Sequence, residues 1–113
     1  MAQPAKHTPG PWQISAIQNE PEKVSIIDAD MCFVAEVWQT YINGESRQQA
    51  HAALIAAAPA MYAELVNGLG LLEASYHDMC DKYGKDSMQA EVVWDQVERT
   101  RNVIAQAEGS NHA

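Results

Sequence analysis

The sequence predicts an α+β fold, in which a three-stranded antiparallel sheet in the N-terminal part packs against a short alanine-rich helix and a C-terminal antiparallel helical hairpin. Two patterns carry this prediction. Apolar residues alternate with polar ones early in the chain, as in strands, and later recur every three or four residues, as in helices. A chain of 113 residues has the size of one domain, so residues 1–113 are predicted to form a single domain.

The N-terminal third has the composition of a β-meander. Residues 1–10 hold two prolines and a glycine and are expected to form an irregular arm, and the meander is expected over 11–40. Its strands are predicted at about 11–18, 24–27 and 32–38, the last with three apolar residues on the face turned to the core: Phe33, Ala35 and Val37. The short connections favour antiparallel pairing, because parallel pairing needs a long crossover.

Residues 45–109 are predicted to be helical. The first helix has an apolar face at positions i, i+3, i+4 and i+7, namely Ala50, Ala53, Leu54 and Ala57. Its small residues, Ala50, Ala53, Ala56 and Ala57, are expected to allow close approach to the sheet. Pro59 either ends this helix or opens the next one.

Two longer helices follow with a regular apolar seam. One carries Tyr62, Leu65, Leu69, Leu72, Tyr76, Met79 and Tyr83; the other carries Ala90, Val93, Val97, Thr100, Ile104 and Ala107. The alternating spacing of three and four is that of helices packed lengthwise. Gly84 and Gly109 are expected to end the helices, with a frayed tail over 110–113. The apolar seams pack on each other either within the hairpin or between two copies of the chain. A homodimer through the seam or the open sheet edge is expected.

The charge and the hydropathy exclude several classes of function. Fifteen acidic and seven basic residues give a net charge of −8, which argues against nucleic-acid binding and against docking on anionic membranes. There is no run of 18 apolar residues and no apolar stretch of a signal peptide near the start. The two distant cysteines form no disulfide framework, so a reduced, cytoplasmic protein is predicted.

No catalytic or metal-binding constellation is apparent in the sequence. Cys32 is expected to be a buried, inert thiol in a strand. The segment His77–Asp81 offers potential ligands on one helix, but no second cluster completes a site. The sequence therefore predicts a protein that is not an enzyme and that uses neither a cofactor nor a metal.

The candidate binding residues are two tryptophans and the acidic residues near them. Trp38 shares a strand face with Glu36, and Trp94 is one residue off the helical seam. An acidic stripe follows the last helix at Glu91, Asp95 and Glu98. Because aromatic residues concentrate at interface hot spots, these six residues are predicted to contact a partner. Core packing of the tryptophans and a solvated acidic face are the alternatives.

Two segments together resemble a family of small phage and prophage proteins. They are His7–Trp12, His-Thr-Pro-Gly-Pro-Trp, and Ala50–Met61, which contains Leu-Ile-Ala-Ala-Ala-Pro. Ala50 or His51 stands where the family pattern has asparagine. The resemblance carries over no catalytic residue. It implies an accessory phage protein acting in the bacterial cell, and such proteins often bind and disable a host protein, including CRISPR effectors.

The leading hypothesis is therefore a non-enzymatic phage accessory protein that binds a host protein or protein complex as an inhibitor of anti-phage defence, in the manner of an anti-CRISPR protein. One alternative is a protein that sequesters a nucleotide signal. Another is a structural or interaction module.

Overall fold

The computed structural model describes residues 7–15 and 22–109. In chain order, the elements are β1 (Gln13–Ile14), β2 (Lys23–Ile27), β3 (Phe33–Trp38), β4 (Tyr41–Ile42), β5 (Glu45–Ser46), α1 (Gln48–Ala56), α2 (Ala58–Tyr83) and α3 (Met88–Ala107). The predicted α+β class is confirmed. The contacts group the chain into two compact units, Met1–Met61 and Tyr62–Ala113. The single domain stays a prediction.

Some predicted features lie outside the described residues. These are most of the arm (1–6), the second half of the first predicted strand with the turn after it (16–21), and the C-terminal tail (110–113).

The sheet of the first unit is the predicted antiparallel meander. β2 is its central strand, with β1 on one side and β3 on the other, and both pairings are antiparallel. After β3 the chain forms a second, two-stranded sheet from β4 and β5. The turn between them is Asn43-Gly44, with both residues at positive φ, the conformation that a two-residue hairpin turn requires.

One side-chain direction in β3 differs from the prediction. Phe33 was expected in the core, but 70% of it is exposed. The register between β2 and β3 shifts by one residue, because Ile26 lies opposite Ala35 whereas Ile27 lies opposite Phe33. Val34 is the extra residue of this β-bulge and packs against the core in place of Phe33. A bulge interrupts the two-residue alternation, which a sequence pattern assumes to be continuous.

The core of the first unit lies between the sheet and α1. Its buried residues are Val24, Ile26, Val37 and Ala52, and around them pack Trp12, Ile14, Val34, Ala35, Ile55 and Ala56. Both Ile26 and Ala52 have no exposed surface. The prediction that Val37 and Ala35 face the core is thus confirmed.

The face that α1 turns to the sheet differs from the predicted one, so the helix is rotated about its own axis relative to the prediction. Ala50, Ala53, Leu54 and Ala57 are exposed, and the face turned to the sheet carries Gln48, Ala52, Ile55 and Ala56. The predicted apolar face was wrong because alanines occur all round this helix, so the pattern leaves its rotation open. Gln48 is buried, and its Nε2 donates to the carbonyl of Val37 at 3.0 Å, which ties the first turn of α1 to β3.

The two segments that carry the family resemblance meet in the first unit. A Cβ on Gly10 would lie 2.8 Å from the Cβ of Pro59, so the backbone of the arm approaches this proline as only glycine can. Trp12 packs against the core, and its indole Nε1 donates to the carbonyl of Thr8 at 3.1 Å. Pro59 lies in the first turn of α2, as one of the two alternatives predicted.

The second unit is the predicted helical hairpin. Gly84, at φ +93°, follows α2, and the side chain of Ser87 accepts from the backbone N–H of Ala90 at 3.1 Å to cap α3. Three side-chain pairs join the helices in antiparallel order: Tyr62 with Glu108, Glu73 with Arg101, and Tyr76 with Trp94. α3 buries Ala90, Val97, Thr100 and Ile104, whereas no described residue of α2 is fully buried.

Substitutions at two neighbouring alanines test which face of α1 packs on the sheet. Ala52→Leu is expected to lower the free energy of unfolding by about 1–3 kcal/mol, because the added carbons overpack a fully buried site. Ala53→Leu is the matched control and is expected to change it by about 0.5 kcal/mol or less, since Ala53 is exposed. Urea unfolding measures both, and equal effects would contradict the observed rotation.

Candidate binding groove

An apolar groove lies between α1 and β3 in the first unit. It has a volume of about 370 Å³, at the small end of the range for ligand sites. The strand side contributes Glu36, Val37, Trp38 and the following Thr40; the helix side contributes His51, Leu54 and Ile55. Trp38 is 57% exposed and Leu54 is 60% exposed, so the groove offers large apolar side chains to solvent.

Strand alternation and the rotation of α1 place these side chains. Ala35 and Val37 point to the core, so Glu36 and Trp38 lie on the opposite face of β3. In α1 the core face is centred on Ala52, which leaves His51 and Leu54 exposed. The groove thus forms where the last turns of α1 pass the end of β3.

Lys23 on the neighbouring strand places a cation next to the strand side of the groove. It lies opposite Trp38 in the register of β2 and β3. Its Nζ is 3.5 Å from Oε1 of Glu36 and 5.7 Å from the centroid of the Trp38 ring. These contacts are at the surface, where an ion pair adds little to stability. They do show that Glu36 and Trp38 together accept a cationic side chain.

The six predicted contact residues divide between the two units. Glu36 and Trp38 lie in the first unit and line the groove. The other four, Glu91, Trp94, Asp95 and Glu98, lie on α3 in the second unit.

Trp94 is occupied by contacts within the hairpin. Its ring lies 5.0 Å from that of Tyr76 on α2 and 5.1 Å from the guanidinium carbon of Arg101. Its indole Nε1 donates to the carboxylate of Glu98. Arg101 in turn bonds Glu73 at 2.6 Å. Trp94 therefore joins the two helices. Its contact with a partner stays a prediction.

The acidic stripe of α3 also has internal roles. Asp95 pairs with Arg99 at 3.0 Å, one helical turn later. Glu91 lies in the first turn of α3, where a negative charge is favourable beside the helix N-terminus.

At the other end of the hairpin, the hydrogen bond to Glu108 raises the pKa of the Tyr62 hydroxyl.

Sequence reasoning missed the helix side of the groove. The predicted apolar repeat places Leu54 in the core and does not include Ile55, and no binding role is predicted for His51. A signal was present in the spacing of Gln48, Ala52 and Ile55 at i, i+4 and i+7. That signal competes with the equally regular set at Ala50, Ala53, Leu54 and Ala57, and only the contact with the sheet separates the two.

The structure also shows the surroundings of Cys32 and the grouping of the side chains that could bind a metal. Cys32 was expected to be buried, but it is exposed, because it lies in the turn before β3, where Asp28 accepts from its backbone N–H at 3.0 Å. Over residues 7–15 and 22–109, no three or more of the His, Cys, Asp and Glu side chains are grouped to hold a metal ion.

The helices were also compared with the requirements of a membrane span. In the described ranges, no single helix is both long enough and apolar enough to cross a bilayer. α1 and α2 taken together, with a bend of 48° between them, do reach the required length and composition.

The chain matches a known family of proteins. The family model described as Salmonella phage P22 protein Y8K6 matches residues 1–111. No curated protein and no solved structure matches the chain.

Truncation of the two tryptophans separates their roles. Trp94→Ala is expected to lower the free energy of unfolding by about 2–4 kcal/mol, because it removes the aromatic and cationic contacts between α2 and α3. Trp38→Ala is expected to lower it by less than about 1 kcal/mol, since most of that ring is exposed. Denaturant unfolding measures both, and a larger loss at Trp38 would contradict this assignment.

Proposed function

The chain belongs to the family of Salmonella phage P22 protein Y8K6, and we propose that it is a phage accessory protein that binds a host protein through the α1–β3 groove. The exposed ring of Trp38 beside Leu54 is the observation that carries this proposal. In this proposal the protein acts in the cytoplasm of the bacterial host. It acts by occupying its partner and catalyses no reaction.

The composition of the groove supports a protein partner. Tryptophan is enriched among the residues that dominate binding energy at protein interfaces. Here it stands beside two aliphatic side chains, Leu54 and Ile55, and the lining also includes the polar Glu36, Thr40 and His51. Interfaces that bind one partner specifically combine apolar and polar residues in this way.

The negative charge supports a target with basic surfaces. With a net charge of −8, the chain is suited to proteins that hold nucleic acid in positively charged channels. CRISPR effectors have such a channel for the guide–target duplex. We therefore propose an inhibitor of bacterial anti-phage defence, with a CRISPR effector as the model target.

The lining of the groove favours this over capture of a nucleotide signal. A nucleotide phosphate needs cationic or backbone donors, whereas the described lining contains the carboxylate of Glu36 and neither lysine nor arginine. Lys23 beside the groove already contacts Glu36 and Trp38.

Affinity capture tests the proposal. The tagged full-length protein is incubated with a lysate of host bacteria, and the retained proteins are quantified by mass spectrometry. One host protein is expected in stoichiometric amount. Trp38→Ala is expected to reduce its retention by about 30-fold, the equivalent of a 2 kcal/mol hot spot.

Tyr83→Ala is the matched control, because Tyr83 is an exposed aromatic residue of the second unit, 54% exposed against 57% for Trp38. It is expected to retain the partner fully. The proposal would be contradicted if no host protein were retained or if Trp38→Ala retained it as well as the unaltered chain.

Self-association is a second part of the proposal, and the half-exposed seam of α2 supports it. Leu65, Leu69, Leu72, Tyr76 and Met79 keep part of their surface open. A second hairpin laid on this face would complete a four-helix bundle. Light scattering at micromolar concentration is expected to give twice the chain mass of 12.4 kDa, and a mass of one chain would exclude the dimer.

A further inference from the structure

The outer edge of β3 lies beside the groove and has no strand paired to it within the described chain. The sheet order is β1-β2-β3, so β3 has β2 on one side only, and β4 and β5 form a sheet of their own. An unpaired edge presents a row of backbone N–H and C=O groups to which another strand can add.

The hydrogen bonds identify which residues turn their backbone to that edge. The N–H of Gln39 donates to the carbonyl of Glu22 at 2.7 Å, and the N–H of Ser15 donates to the carbonyl of Ser25 at 2.9 Å. Alternate residues of a strand face the same neighbour, so the odd-numbered residues from Ala35 to Gln39 face β2. Glu36 and Trp38, the two groove residues on β3, therefore turn their backbone groups outward.

The groove lies where the side chains of an added strand would point. Alternate residues of such a strand, about 6.6 Å apart, project to the same face of the sheet as Val37, the face on which α1 packs. There they would meet Leu54 and Ile55 of the helix. These positions therefore suit apolar side chains.

The remaining residues of the added strand would lie on the other face, beside Glu36 and Trp38. Lys23 on β2 indicates what these two residues accept, because its Nζ is 3.5 Å from the Glu36 carboxylate and 5.7 Å over the Trp38 ring. A strand on the opposite side of β3 would place a side chain in the corresponding position. A lysine or arginine there would complement both the carboxylate and the ring.

We propose that the groove and the β3 edge bind an extended peptide segment of the partner by strand addition, with apolar residues alternating with lysine or arginine. This inference rests on the proposed function and specifies its binding mode. Backbone pairing with Glu36 and Trp38 would supply affinity, and the alternating side chains would supply specificity.

Selection from a library of randomised ten-residue peptides tests this binding mode on the full-length protein. The enriched peptides are expected to alternate apolar with basic residues. Synthetic copies are then titrated by fluorescence anisotropy. N-methylation of the alternate peptide amides that face β3 is expected to weaken binding at least tenfold, whereas N-methylation of the intervening amides is expected to have a smaller effect.

Two leucine variants locate the site. Leu54→Lys is expected to weaken binding of the selected peptides at least tenfold, because it places a charge in the groove. Leu71→Lys is the matched control on the second unit, at a leucine that is 75% exposed, and is expected to leave binding unchanged.

Strand addition would be overturned if no peptide were enriched, if the enriched peptides had the three-and-four spacing of a helix, or if N-methylation of either set of amides had the same effect. Host capture distinguishes this from failure of the proposed function. A host protein that is retained, and that is lost on Trp38→Ala, would leave the proposed function standing while these results overturned its binding mode.

Discussion

The contact of Ala52 with the sheet is the constraint on which the first unit depends. Ala52 and Ile26 have no exposed surface, and they are packed in one cluster with Val24 and Val37. A methyl group at this position lets the helix lie close to the central strand, and a larger side chain would hold it away. The same contact sets the rotation of α1, and so it determines that Leu54 and His51 point out of the core and beside β3. The groove is therefore a consequence of how the core packs.

The segments that mark the family have a structural role in the same unit. Gly10 and Pro59 approach so closely that a side chain at Gly10 would collide with the proline ring. Trp12, which follows Gly10 by two residues, packs against the core. Two motifs about forty residues apart in sequence thus meet in one contact, and the second motif also supplies His51, Leu54 and Ile55 to the groove.

The two tryptophans named from the sequence differ in how far other side chains of the protein cover them. Trp94 lies among Tyr76, Arg101 and Glu98 and holds the hairpin together. Trp38 has Lys23 over its ring and remains mostly exposed. Local spacing does not separate these cases, because both residues flank an apolar repeat. The side chains that surround each tryptophan in the folded chain separate them.

The sequence by itself determined the order of the main elements, since these follow from local periodicity: a three-stranded meander, an alanine-rich helix and a helical hairpin in which Gly84 ends the first helix. The small sheet of β4 and β5 was not predicted. It also determined that Glu36 and Trp38 share a face of one strand, because strand alternation is local. Only the tertiary structure decided the bulge at Val34, the rotation of α1 and the juxtaposition of Leu54 with Trp38. These depend on contacts between residues distant in sequence, and an alanine-rich helix carries no local signal of which side meets the sheet.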